Sequence, residues 1–580
     1  MSTQYHYARS PQLRALRLSW FARAFYRSAV PRETIDETLS FSERMTVVSH
    51  VEESIIPHIQ KILGADGLCE GVDLVRLDMS AFVFGRVRMF RITRFVRAAK
   101  NWLTQAAPDA VTVWPSFHYT DWLLVRSLRV AKIRLGLLSR FSATMARAFL
   151  SVSDRRIYAP RSFTASPSVP TTVPGLLFVA TMETHAKNLL PLMLAARKQG
   201  IAVGLITASG ARHWKCLAKI PDGVQLFNFR DFITAADIEE YQKDCATYAR
   251  LYSEHTAALK TIARLEGVDF WPIVAAGLKD FYETTLPANR LYIRVARRIL
   301  ASGPTSIVNS RLLRASETAL AALARNSGVR VTTILHGLIT DEPDFYYASG
   351  RFDLSDRVYV WNDAQKKHVE RKRGHVPGDV IVDANPQWEH LSGMKADRAA
   401  VLSQLGVSGV FKRIITFCAQ PANDASLWRM IADAASKNTD TLCILKTHPT
   451  VPKERVLAGV GTLSANVLVV DDTSISLYPL LMVSDLLITV TSTTLFEALV
   501  IGTPVCLFRA HSFSFVDELR GYGMPVLENA AELQALFVSH KTKDAYWAAC
   551  EKFRRNYMGV SRDVYEGISN RILSFVTSRS

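Results

Sequence analysis

The chain has 580 residues, 48% of them hydrophobic and 10% aromatic, which gives room for two or three domains and excludes a disordered chain. Lys plus Arg exceed Asp plus Glu by 70 − 53 = 17, a balance that calls for a polyanionic partner: nucleic acid, anionic lipid or a phosphorylated substrate. The seven cysteines show no C-x-x-C spacing, which argues against a disulfide framework or a zinc site.

Cys418, Cys443 and Cys506 lie in or beside apolar strand runs and read as core thiols of a cytosolic protein. No uninterrupted apolar run is long enough to span a bilayer. Arginines break every apolar run near the N-terminus, so a signal-peptide core is not expected there.

Residues 1–106 read as a basic, mainly helical extension. Arg14, Arg17, Arg23 and Arg27 alternate with Leu13, Leu16, Trp20, Phe21 and Phe25. Arg88, Arg91, Arg94 and Arg97 alternate with Val87, Phe90, Ile92, Phe95 and Val96. A spacing of about three places the cations on one helical face. Such a helix can lie in the headgroup plane of an anionic membrane, or can pack on the body and leave its charges in water. No recognised nucleic-acid-binding motif accompanies the charge, so nucleic acid is not expected as the partner. Ala110–Trp114 reads as a strand, Asp121–Arg129 as a helix, and the Ser/Thr/Pro-rich stretch 162–172 as a linker.

From Gly175 the pattern is regular. Strands are expected at 175–181, 202–207, 224–229, 306–309, 331–335, 357–361 and 379–382, with helices at 187–199 and 315–325 and a mainly helical stretch over 231–301. The polar loop Glu183-Thr184-His185 falls at the carboxyl end of the first strand. A second set of strands is expected at 413–417, 441–445, 466–470, 485–490 and 505–508, with a final helix at 564–577. Repeated strand–helix–strand units mean parallel, doubly wound sheets. Ligands bind such sheets outside the carboxyl ends of the strands. Two loops there carry chemistry: Lys446-Thr447-His448-Pro449, and Thr491-Ser492-Thr493-Thr494 at the start of a helix. A lysine, an imidazole, hydroxyls and a helix N-terminus suit an anion of two or more charges. Thr494 and Glu497 also fit S/T-x-x-E, a capping box that need only start a helix.

A strand ending in K-x-H-P, followed by S-D-L-L-I-T-x-x-S-T-T-x-x-E-A-L-x-x-G-x-P-V, resembles the donor-binding half of GT-B glycosyltransferases that build bacterial surface polysaccharides, including sialyltransferase- and Kdo-transferase-type enzymes. The resemblance covers roughly 175–580. It implies an α/β GT-B fold with two Rossmann-like doubly wound parallel sheets facing a cleft. Residues 171–390 would form the acceptor domain, 391–580 the donor domain, and 1–170 the basic helical extension and linker. The segment from LHGLITDEPDFYY to VIVDANPQWEHL is similar to the end of the N-terminal domain in those enzymes.

By that resemblance, His448, Pro449, Ser492, Thr493, Thr494 and Glu497 contact the nucleotide of the activated sugar, with Lys446 and the amide of Gln420 beside it. His336 would be the general base for the acceptor hydroxyl, with Asp341 orienting it or replacing it and Glu183 and His185 as an alternative pair. His336 could instead simply donate to a backbone carbonyl. The first strand of the second set ends in Cys418-Ala419-Gln420-Pro421 and lacks a glycine-rich turn, and Ala384 stands where a glycine would precede Asn385-Pro386. No Asp-x-Asp metal motif is present; Asp471 and Asp472 read as turn residues. Transfer is therefore expected to be metal-independent and to need no cofactor, the nucleotide-sugar being a substrate. CMP-sugar is favoured over UDP-sugar. The partners expected are a glycan or lipid-linked acceptor and, through 1–106, the inner face of the cytoplasmic membrane. A CDP-glycerol-type polyol phosphotransferase, a sugar-nucleotide 2-epimerase and a catalytically silent scaffold are the alternatives.

Overall fold

The computed structural model describes residues 4–8, 29–31, 43, 47, 51–77, 89–106, 110–113, 119–131, 134–135, 162–207, 214–265, 267–312, 314–335, 337, 339, 351–373, 378–383, 385–391, 393–418, 425–448, 451–490, 492–509, 514–539, 542–558 and 567–578. Two parallel sheets dominate. The first has seven strands: β1 (Leu176–Ala180), β2 (Val203–Thr207), β3 (Val224–Asn228), β4 (Ser306–Asn309), β5 (Arg330–Ile334), β6 (Arg357–Val360) and β7 (Asp379–Val382), in the order β7-β6-β5-β4-β1-β2-β3. The second has β8 (Arg413–Cys418), β9 (Thr441–Lys446), β10 (Val467–Val470), β11 (Leu486–Thr489), β12 (Val505–Phe508) and β13 (Val526–Leu527), in the order β10-β9-β8-β11-β12-β13. This is the two-sheet GT-B architecture that the resemblance implies. Central strands such as β1 and β9 are buried at every position, as strands covered by helices on both faces must be. The two-residue β13 has no apolar run of its own and was not expected from the sequence.

The first helix after β1, α1 (Glu183–Lys198), starts four residues earlier than its apolar periodicity. Glu183 and His185 therefore lie in its first turn and not on a loop. Between β3 and β4 stand the long helices α2 (Ala235–Ile262) and α3 (Leu286–Ala301). Thr234 and Asp237 cap α2 reciprocally, and Arg298 of α3 clasps the same Asp237 at 2.7 Å.

The described parts of the extension are not a free helical leader. Strands Gln4–Ala8, Ala29–Pro31, Ala110–Val113 and Arg134–Leu135 form a small parallel sheet. The helix Met89–Ala106 covers most of the second arginine-rich run, but Ile92, Phe95, Val96, Ala99 and Trp102 are buried in the same core as α2, α3 and β1. The apolar face that would enter a lipid headgroup layer is thus consumed inside the protein. The first run, 13–27, lies outside the described residues. Tyr248 on α2 donates to the Asp66 carbonyl at 2.6 Å, and Asn289 on α3 to that of Leu74 at 2.8 Å, which ties the extension to the far side of the first sheet. The stretch 162–172 has no helix or strand, yet Phe163 packs edge-on against Tyr241 with centroids 5.0 Å apart. It is a pinned strap and not a loose linker.

Two devices hold the sheets together. The last helix, Ile568–Thr577, returns to the first sheet, as expected. Ser306 Oγ donates to the Val576 carbonyl at 2.8 Å, Arg571 pairs with Asp383 at 2.7 Å, and the Arg357 guanidinium lies 3.4 Å above the Phe575 ring. Glu389 accepts from Ser569 Oγ at 2.7 Å and from the Gly567 and Ser569 N–H groups. The second device is aromatic. Trp361 after β6, Trp388 in the helix Pro386–Leu391 and Phe496 of the second domain meet with centroids 5.1, 5.3 and 6.3 Å apart, and Phe496 stacks on Tyr557 at 5.9 Å.

Truncating a buried tryptophan costs about 3–5 kcal/mol. Trp388→Ala is expected to lower the urea midpoint accordingly, and Trp388→Phe far less. An unchanged midpoint in Trp388→Ala would leave the C-terminal helix as the sole bond between the domains.

Candidate functional site

A cleft of about 1600 Å³ opens between the two sheets. It is larger than the ~300–1,000 Å³ of an ordinary small-molecule site and takes residues from both domains. The C-terminal wall follows the expectation in outline. At the end of β9 come Lys446, Thr447 and His448, and beyond β11 come Ser492, Thr493, Thr494 and Glu497, all lining the cleft. The strands β9, β8 and β11 are neighbours, so the two motifs flank Cys418 at the end of β8. Gln420 and Pro449 lie outside the described residues.

The charges are arranged differently from the expectation. Lys446 is buried and forms an ion pair with Asp472. Asp471 is the turn residue: one of its oxygens accepts from the backbone and hydroxyls of Thr473 and Ser474 at 2.7–3.0 Å, which holds its carboxyl well below the usual range. That anchored turn presents Asp472 to the cleft, so Asp472 is a site residue and not merely part of a turn. His448 is half-buried; burial, opposed by Asp472 and assisted by Lys446, lowers its pKa below the ordinary imidazole value. At neutral pH it offers a neutral ring.

The helix after β11, α4 (Thr494–Ile501), begins without a capping box. Ser492 Oγ accepts from the Thr494 N–H at 3.3 Å and donates to its hydroxyl at 2.8 Å. The Leu495 and Phe496 N–H groups reach the Ser492 and Thr493 carbonyls. The helix thus contributes its dipole and three hydroxyls more than unclaimed N–H groups. Glu497 is bonded to Tyr478 and faces Lys187 of the opposite wall. Burial outweighs both and pushes its carboxyl up to about 7. With no side-chain cap at the start of α4, the capping-box reading of Glu497 falls.

The N-terminal wall is formed by α1 and the ends of β4 and β5. Asn188, fully buried, donates to Ser310 Oγ at 3.0 Å and to the Ile334 carbonyl at 3.2 Å. Directly after Ser310, Arg311 lines the cleft, as do Lys187 and Asn188. Glu183 is not among the residues lining the cleft; it accepts from the Cys216 N–H at 3.2 Å and pairs with Lys187 at 3.4 Å. His185 is fully buried beneath α1, 3.3 Å from Thr181 Oγ1. It is not among the residues that line the cleft, which argues against His185 as a base. His336 and Asp341 lie outside the described residues; their neighbour Gly337 lines the cleft.

Sequence reasoning missed Arg311, Asn188, Lys187, Asp472 and Tyr478. Arg311 was findable by the rule that singled out Lys446, a cation at the carboxyl end of an apolar strand. The others depend on which helix the fold brings to the cleft.

No family model and no curated protein matches the chain. Among solved structures it is similar to a putative UDP-N-acetylglucosamine 2-epimerase from Listeria monocytogenes, with 14% identity over 69% of this chain and 95% of that one and a TM-score of 0.44. It is likewise similar to the UDP-GlcNAc 2-epimerase of Neisseria meningitidis bound to UDP-GlcNAc (14%, 69% and 98%, TM-score 0.43) and to the calicheamicin glycosyltransferase CalG4 (14%, 69% and 99%, TM-score 0.39). At such identities the assignment of the site rests on the chain's own residues.

Glu497 gives a pH test. Its folded carboxyl titrates near 7, above the ordinary glutamate value it takes when unfolded. Between those two values the folded state binds more protons, so stability falls as pH rises through this window. Glu497→Gln is expected to flatten that slope, and to exceed the parent in stability at pH 8 by about 1–2 kcal/mol while matching it near pH 4. Parallel pH–stability profiles for the two proteins would show a solvated carboxyl.

Proposed function

We propose that the chain transfers a sugar from a nucleotide-sugar donor, CMP-sugar ahead of UDP-sugar, to a bacterial surface glycan or a lipid-linked acceptor. The observation that carries this reading is the convergence of Lys446-Thr447-His448 and Ser492-Thr493-Thr494 on one interdomain cleft, at the carboxyl ends of strands separated only by β8. In this reading the nucleotide phosphate lies against the hydroxyls and the N-terminus of α4. His448 donates a hydrogen bond to it, and Glu497 accepts from the ribose hydroxyls. The acceptor hydroxyl attacks the anomeric carbon from the N-terminal side, the bond to the phosphate oxygen breaks, and a base takes the hydroxyl proton. His336 is the base in this reading, with Asp341 and Glu183 as its substitutes. The leaving phosphate is met by fixed dipoles and Lys446 rather than by a metal. Attachment to the inner face of the membrane falls to the first arginine–aromatic run, since the second is packed in the core.

A second reading has one observation in its favour. A carboxyl titrating near 7 in the cleft is what a sugar-nucleotide 2-epimerase needs to remove and return a carbon-bound proton.

Thermal shifts with CMP, CDP, UDP and GDP identify the nucleotide, because a ligand of the folded state alone raises the melting temperature. His448→Ala and Ser492→Ala are each expected to weaken that nucleotide by roughly 10- to 100-fold. Undiminished binding in both variants would place the nucleotide elsewhere. With a nucleotide-sugar and acceptor, His336→Ala is expected to lower turnover by roughly 10²–10⁴-fold at unchanged donor affinity. Transfer frees the nucleotide only when acceptor is present, whereas an isomerised nucleotide-sugar recovered without acceptor would favour the epimerase.

A further inference from the structure

The N-terminal wall holds a cation that makes no direct ion pair among the described residues. Arg311 follows β4 and lines the cleft, and its Nε is buried without a hydrogen-bond acceptor. Glu317 acts on it electrostatically and supports its charged form, but makes no hydrogen bond to it: Glu317 is buried and its oxygens accept from Thr181 Oγ1 at 2.9 Å and the Arg314 N–H at 2.7 Å. Burial lowers the Arg311 pKa to about 10, so the guanidinium stays charged at neutral pH at a cost to the fold. Beside it in the cleft wall, Asn188 is 1% exposed and its Oδ1 is also buried without a partner. The same side chain's amide is spent on Ser310 and Ile334, which fixes the loop that carries Arg311. On the opposite wall Lys446 is matched by Asp472. The cation without a direct ion pair therefore stands on the wall away from the nucleotide motifs.

A desolvated, unpaired arginine destabilises a protein. Its planar fork suits bidentate binding of phosphate or carboxylate. We propose that Arg311 is the centre of a second anion-binding position, which holds a phosphate or carboxylate carried by the acceptor while the nucleotide phosphate occupies the C-terminal wall. The inference rests on reading the cleft as a donor site facing an acceptor site. It adds that the acceptor is itself anionic: a phosphorylated or lipid-phosphate-linked sugar, or a glycan ending in a uronic or other sugar acid. The amide oxygen of Asn188 would accept from a hydroxyl of the same acceptor.

Small anions test this on the whole chain. Inorganic phosphate, glucose 1-phosphate and glucuronate are titrated by thermal shift and calorimetry, with and without saturating nucleotide, against the parent, Arg311→Gln, Arg311→Lys and His448→Ala. At least one anion is expected to bind the parent and to bind it still when nucleotide is present. Glucose 1-phosphate binding more tightly than glucuronate identifies a phosphate-bearing acceptor, and the reverse order a sugar acid. Arg311→Gln is expected to lose anion affinity by roughly 10- to 100-fold with nucleotide affinity unchanged, and Arg311→Lys to retain part of it. His448→Ala is expected to weaken nucleotide and spare the anion. Removal of an unpaired charge is expected to leave the melting temperature of Arg311→Gln level or raised. A fall of more than about 5 °C, or failure of the variant to fold, would make Arg311 structural and overturn the proposal. So would anion binding that survives Arg311→Gln, that disappears with His448→Ala, or that no probe shows in the parent. Absence of nucleotide binding with Arg311-dependent anion binding intact would instead overturn the donor reading alone.

Discussion

The packing of Phe496 between Trp361 and Trp388 is the contact on which the geometry of the cleft depends. Trp361 follows a strand of the first sheet, Trp388 stands in the helix Pro386–Leu391, and Phe496 belongs to the helix α4 that begins at Thr494. Phe496 is one residue from Glu497 and two from Thr494, so burying its ring orients the polar face of the same helix turn toward the cleft. The Trp361 indole also donates to the Leu335 carbonyl at 2.9 Å, which places the end of β5 relative to that helix. Buried aromatic rings are costly to displace. The distance between the two walls is therefore set by the core and not by surface contacts.

Charge in the cleft is distributed unevenly. Lys446 is buried with Asp472 as its partner, and removing either would leave an uncompensated charge. His448, next to this pair, is biased toward its neutral form. Glu497 titrates near neutrality because burial outweighs Lys187 and Tyr478. Each departure from an ordinary pKa has a structural cause, and together they keep the C-terminal wall close to neutral before a ligand arrives. The N-terminal wall keeps Arg311 charged and unpaired.

The remaining basic character of the chain is largely structural where it is described. Arg298 and Arg294 converge on Asp237 and Asp244 between α2 and α3, Arg571 binds Asp383, and Arg330 and Arg357 flank Phe575. Arginine suits such places because its fork bonds several acceptors while its stem packs on apolar surface. Much of the excess of cations in the sequence is thus spent, among the described residues, on holding the fold.

The sequence alone determined the two sheets. Apolar, β-branched runs of four to six residues alternating with longer helical patterns admit few arrangements other than parallel doubly wound sheets, and all seven strands of the first were legible. It also determined which loops would meet, because chemistry in such sheets collects at the carboxyl ends of strands. The tertiary structure decided the rest. His185 and Lys446 look alike in sequence, each a polar group near a strand end. Only the packing of α1 buries the first, and only the turn held by Asp471 gives the second a counter-charge. The arginine-rich helix Met89–Ala106 reads equally well as a membrane face or a core face, because amphipathicity states that one side is buried but not against what. Glu497 and Arg311 owe their altered ionisation to burial in the folded chain, opposed by Lys187 and Tyr478 for the first and by Glu317 for the second. Burial and long-range pairing are properties of the folded arrangement, and local pattern carries no record of them.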